Sequence, residues 1–180
     1  RNSGGGITTQ GNNTYVGFAV AVNASSDGNS NTFIGSAVAS GGAYSGSSSV
    51  GIGRNALLAG TNGERNVAIG RAAMLGASSG TRTAAKNIGI GVQALQNITT
   101  GSHNVAVGDV TMLSITEGDK NTAIGSSAGT AITTGEQNVV LGYQALLAGI
   151  NNSYNVVIGV EAFKTADDGE NNNVAIGWGA

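Results

Sequence analysis

The chain has 180 residues, 31 of them Gly and none of them Pro or Cys, and a formal net charge of −2. Charged residues make up 10% and aromatics 4%, which is not the profile of a nucleic-acid binder, whose Lys and Arg are numerous and clustered. No Cys is present to serve as nucleophile or thiolate metal ligand, and no apolar run reaches membrane-spanning length.

Residues 1–12 read as a polar lead-in, opening Arg1-Asn2-Ser3-Gly4-Gly5-Gly6 without the pattern of a secretory leader. From residue 13 to 180 the chain is one repeat domain. Asn-Val-Ala-Ile-Gly at 66–70, lightly varied, recurs with closing glycines at Gly17, Gly35, Gly53, Gly70, Gly91, Gly108, Gly125, Gly142, Gly159 and Gly177. The intervals are 18, 18, 17, 21, 17, 17, 17, 17 and 18 residues. A near-constant period of this length marks a repeat architecture. The interval of 21 places four extra residues near Thr81 to Lys86, as an extruded loop. The chain ends at Trp178-Gly179-Ala180, inside a repeat, and reads as a segment of a longer fibre.

Each closing Gly is numbered zero below. Position −1 is Val, Ile or Leu throughout, and −3 is Val or Ile except at Thr14, Thr32 and Thr122. Alternate β-branched residues predict a strand ending at each Gly, with −1 and −3 filling the coil. Position −4 is Asn except at Ser49, and a Gly often stands at −7, as at Gly63, Gly101, Gly118 and Gly135. Both residue types suggest left-handed turn conformations. After the Gly, Ala recurs at +3 and large apolar residues at +4 (Leu57, Met74, Leu95, Met112, Leu146, Phe163), with Ile98, Ile115 and Ile132 at +7. This cluster predicts a second short strand. Seventeen residues are too few for two helices and a turn and suit one coil of a β-solenoid.

Position −2 is also apolar: Tyr15, Phe33, Gly51, Ala68, Gly89, Ala106, Ala123, Val140, Val157 and Ala175. A strand apolar on both sides is buried on both sides. With −1 and −3 assigned to the interior, −2 becomes an outward apolar ribbon needing a partner. The expectation is a homo-oligomer packed lengthwise through Tyr15, Phe33, Ala68, Ala106, Ala123, Val140, Val157 and Ala175.

Position +1 is variable and includes Phe18, Tyr143 and Trp178. With Tyr44, in the run Ser40 to Ser49, they form the expected ligand surface, suited to stacking on sugars or proteins. A Thr column at −9 (Thr61, Thr99, Thr116, Thr133) raises ice binding as an alternative, although Tyr44, Arg82, Ile150 and Asp168 interrupt it. Charge is uneven along the rod: residues 1–100 hold six Lys and Arg against two acids, and 101–180 hold two against eight. The one His, His103, lies in a Gly-Ser-His-Asn turn. Asp167-Asp168-Gly169-Glu170 lacks the ordered alternation of an EF-hand. Glu64, Glu117 and Glu136 fall at −6, −8 and −6 and form no continuous carboxylate column of a polysaccharide-cleaving groove. No catalytic residue, metal site or cofactor is expected.

Asn-Thr-Ala-Ile-Gly-Ser-Ser-Ala (121–128) and Asn-Val-Val-Leu-Gly-Tyr-Gln-Ala-Leu (138–146) resemble the head repeats of YadA-type trimeric autotransporter adhesins. Similar repeats occur in phage and bacterial tail-fibre-like proteins. The resemblance covers about Asn13 to Ala180. It implies a left-handed parallel β-roll, three chains side by side, extracellular, on a bacterial surface or a virion tail. The adhesin repeat is typically shorter than the 17 residues here, and Ile90-Gly91-Val92-Gln93-Ala94-Leu95 also fits the hexapeptide of left-handed β-helices. The expectation is therefore an all-β chain: a left-handed parallel β-roll or β-helix solenoid of about ten 17-residue coils in a side-by-side homotrimer. It would be a non-catalytic segment of an adhesin head or phage tail fibre, attaching to host or cell-surface glycan, protein or matrix, without nucleic-acid or membrane contact in this segment. The alternative classes are a tailspike-type polysaccharide-degrading enzyme and an ice-binding protein.

Overall fold

The computed structural model describes residues 11–21, 28–41, 44–58, 63–76 and 82–180. Ten strands follow in chain order: β1 (Thr14–Phe18), β2 (Thr32–Ser36), β3 (Val50–Ile52), β4 (Val67–Ile69), β5 (Ile88–Ile90), β6 (Val105–Val107), β7 (Thr122–Ile124), β8 (Val139–Leu141), β9 (Val156–Ile158) and β10 (Val174–Ile176). They form one parallel sheet in sequential order. Identical repeat positions pair, as Ala106 does with Ala123 and Val107 with Ile124. Register holds across the long interval, where Val67 pairs with Ile88. The chain is an all-β parallel β-solenoid whose ten strands bound nine coils of about 17 residues.

The predicted second strand is absent among the described residues. Positions +1 to +7 are a chain of turns with left-handed backbone at +2 and +4, as at Gln93 (φ 59°) and Leu95 (φ 52°). These turns still bond coil to coil: Leu95 N–H donates to the Thr111 carbonyl at 3.1 Å and Met112 N–H to that of Ala128 at 3.0 Å. A left-handed residue with a side chain costs roughly 1–2 kcal/mol. At +4 that cost is offset, because Leu57, Met74, Leu95, Met112 and Leu146 are fully buried, each worth about 1.5–3 kcal/mol.

The two faces of the strand are the reverse of the sequence expectation. Position −2 points inward: Phe33, Ala68, Ala106, Ala123, Val140 and Val157 are 0% exposed within their own chain and belong to one continuous core. Tyr15 is half-buried against that core. These residues, assigned above to an interface between chains, are instead enclosed in one core with the +3, +4 and +7 side chains of their own chain. Size is the physical reason. A coil of 17 residues encloses little volume, so small −2 side chains fit beneath the large +4 and +7 ones. Where −2 is Phe33, the next coil supplies Gly51, at which a Cβ would stand 3.0 Å from the Phe33 ring. Ala175, in the last coil, is half-buried.

The conserved spacing of Asn also has a different cause from the one expected. The −4 asparagines do not adopt left-handed backbone; from Asn31 to Asn155 they are buried and form a ladder up the rod. Asn104 Oδ1 accepts the Asn121 backbone N–H at 2.9 Å, and Asn121 Oδ1 accepts that of Asn138 at 3.0 Å. Each Nδ2 donates outward to the −7 carbonyl of the next coil: Asn104 to Gly118 at 2.7 Å and Asn121 to Gly135 at 2.8 Å. Ser49 keeps the ladder unbroken, its Oγ accepting the Asn66 N–H at 3.1 Å. Where −7 is Gly the coils approach closely there, since a Cβ on Gly101 would lie 2.4 Å from the Gly118 carbonyl oxygen; Ala84, Asn152 and Glu170 hold the same position in other coils. The closing Gly is required by conformation, with φ between 127° and 142° in all ten copies.

Two outcomes follow. Asn121→Ala leaves the Asn138 N–H and the Gly135 carbonyl buried without a partner, and should destabilise the rod by about 2–5 kcal/mol; Asn121→Ser should cost less, as Ser49 shows. Urea titration followed by circular dichroism checks this, and equal midpoints for Asn121→Ala and the parent would refute the ladder's role. Ala106→Asp buries an unpaired carboxylate, at a cost of several kcal/mol, and should unfold the coil; a folded variant of unchanged thermal midpoint would put −2 outside.

Candidate functional site

The outer face of the sheet is built from −3 and −1. Its twenty side chains are seventeen Val, Ile or Leu and three Thr, with no charge among them. Val16, Ile34, Ile88, Ile90, Ile124, Val139, Val174 and Ile176 are each at least 36% exposed, and the other aliphatic residues of the two columns are half-buried. Two columns about 7 Å apart run along nine strand intervals, or ~43 Å. The apolar ribbon anticipated at −2 therefore exists, one residue to either side.

Along one edge of this ribbon runs +1. Phe18, Tyr143, Val160 and Trp178 are exposed there, with Trp178 at 82%. Arg54, Arg71 and Asp109 share the column and are exposed as well. Of the four residues expected to form a ligand surface, Phe18, Tyr143 and Trp178 are on the outside and in one column. Tyr44 is not with them. It is 1% exposed, its ring edge-on to Phe33 at 5.2 Å, and Phe33 in turn stacks on Tyr15 at 5.5 Å. Burial raises the Tyr15 hydroxyl above the usual tyrosine pKa. These three aromatics fill the wide first coils, so Tyr44 is a core residue.

The −9 column is inward or engaged. Thr99 Oγ1 donates to the Thr116 carbonyl at 2.9 Å, and Thr116 Oγ1 to that of Thr133 at 3.3 Å. Hydroxyls held by the next coil are not a free array for ordering water. Thr61 lies outside the described residues. Arg82, which interrupts the column, is 3% exposed, and its Nη1 donates to the Leu75 carbonyl at 3.2 Å. Burial lowers its pKa from the usual arginine value.

Asp168 and Glu170 serve the backbone. Asp168 Oδ1 accepts N–H groups of Ile150 and Asn151, and Glu170 Oε2 accepts that of Asp167. Among the described residues no three His, Asp or Glu side chains converge to hold a metal ion. A cavity of about 510 Å³ lies beside Phe163, Lys164, Asp167, Glu170, Gly179 and Ala180. Lys164 and Glu161 form the one ion pair among the described residues, at 2.8 Å and partly exposed.

Sequence reading treated His103 as a solitary turn residue. The structure places it in a column at −5, with Arg65, Lys86 and Lys120 on neighbouring coils. The signal was present in the spacing but not in any local motif. The chain matches no family model, no curated protein sequence and no solved structure.

Proposed function

We propose that this chain is a non-catalytic segment of a homotrimeric extracellular fibre, of the kind its repeats resemble, that attaches to a cell or host surface. The observation that carries the proposal is the outer sheet face: two columns of Val, Ile and Leu, interrupted by three Thr and without a charge, along ten strands. In a lone chain such a face stays in water. Three chains meeting through it bury it along the whole rod, with favourable transfer of about 25 cal/mol per Å². The +1 columns remain at the rims of the interface, where Tyr143 and Trp178 are available to a glycan or protein. Three copies of each weak contact gain by avidity. The setting proposed is a bacterial surface adhesin or a phage tail fibre, without cofactor.

Light scattering tests the assembly. The expected mass is three times 17.6 kDa, and a monomer at tens of micromolar would contradict it. Val107→Asp with Ile124→Asp should give a folded monomer, because each carboxylate is solvated in the lone chain but costs several kcal/mol when buried against a neighbour. A double variant that keeps the parent mass would remove this face from the interface. Tyr143→Ala with Trp178→Ala should keep the mass and weaken cell attachment roughly tenfold, the loss of one or two stacking contacts; unchanged attachment would exclude the aromatic rim.

A further inference from the structure

Position −5 lies on the bend that enters each strand, on the opposite edge of the sheet from +1. In four consecutive coils it is Arg65, Lys86, His103 and Lys120. Backbone bonds hold these coils in line: the N–H of Lys86 donates to the Glu64 carbonyl at 2.8 Å, that of His103 to Ala85 at 3.2 Å, and that of Lys120 to Ser102 at 3.0 Å. All four share one left-handed backbone conformation, φ 57° to 61°, and all four are exposed. The row continues undisturbed past the long interval between Gly70 and Gly91. Its four rungs, one strand spacing apart, span ~14 Å along the rod.

None of the four has a carboxylate at ion-pair distance among the described residues. Two acids flank them on the −6 column. Asp119 is turned along the axis, its Oδ1 accepting the Ser102 N–H at 2.5 Å. Glu64 is exposed, and it is the one acid between residues 28 and 108. Ser48 and Gln137 occupy −5 on the coils to either side and close the row.

We propose that this row binds a linear sulfated polysaccharide lying along the rod, its anionic groups meeting Arg65, Lys86 and Lys120 in single file, with the His103 ring as a hydrogen-bonding rung between them. A row one residue wide is too narrow for duplex nucleic acid, whose affinity comes from many phosphates neutralised together. Single-stranded nucleic acid draws its affinity from successive aromatic platforms between the cations, and −5 offers no Phe, Tyr or Trp in these coils and a single imidazole, that of His103. The row lies within one chain and does not need self-association. It gives the proposed attachment a ligand class, and in that sense rests on the attachment reading.

The test uses heparin as probe, with the parent chain and the triple variant Arg65→Gln, Lys86→Gln, Lys120→Gln. Glutamine suits the position, since Gln137 holds −5 with φ 55°. The parent should bind heparin, weaken roughly tenfold or more between low and physiological salt, and lose at least about tenfold in the triple variant while circular dichroism and thermal midpoint stay the same. Glu64→Gln should tighten binding. The site is overturned if the parent fails to bind, if the triple variant binds like the parent, if uncharged dextran competes equally, or if duplex DNA binds more tightly than heparin. Cell attachment that heparin does not compete overturns the site and leaves attachment standing. Absence of both cell and heparin binding overturns both.

Discussion

Every coil of this rod depends on the next one for its hydrogen bonds. A 17-residue coil with one three-residue strand cannot pair its backbone groups internally, and buried unpaired groups are expensive. The strands solve this for three positions per coil. The buried −4 side chain solves it at the bend before the strand, where Asn121 Oδ1 accepts the Asn138 N–H and its Nδ2–H donates a hydrogen bond to the Gly135 carbonyl. The glycines at zero and −7 follow from the same closeness, because a Cβ on either would meet the carbonyl of the neighbouring coil. One side chain type and two glycines thus set the period, and the apolar positions fall into columns as a consequence.

The period, the strand positions and the parallel register were legible because each is a statement about spacing. Which side of the strand faces inward was not. Columns −1 and −2 are apolar and −3 is apolar but for three Thr, and β-branching at −1 and −3 marks a strand without saying where its faces point. Size carried the answer: a narrow coil takes Ala and Gly at −2 and leaves Val and Ile outside. Tyr44 was misplaced for a related reason. Its Ser/Gly surroundings read as surface, whereas the aromatic stack of Tyr15 and Phe33 leaves room for a third ring inside. The apolar cluster after the closing Gly suggests a strand, whereas the chain turns there with left-handed backbone at bulky residues such as Leu95. Burial at +4 offsets the cost of that conformation.

These placements divide the surface into parts with different chemistry. The sheet face is apolar and continuous, and suits contact with further copies of the chain. Its two edges are not alike. One carries exposed aromatics and mixed charge at +1, and the other a cationic row at −5. Side chains on a rigid repeat keep their spacing without further support, which is what repeated weak recognition needs.

The central claim is that −2 is enclosed by its own coil while −1 faces a second copy of the chain. The chain has no Cys, so single cysteines report position cleanly. The measurement is interchain disulfide formation by Ala106→Cys and Val107→Cys under mild oxidation, with maleimide labelling of each folded variant. Val107→Cys should give disulfide-linked pairs, and Ala106→Cys should give neither pairs nor label until the chain is unfolded. Pairs from Ala106→Cys, with Val107→Cys labelled freely and never crosslinked, would contradict the account.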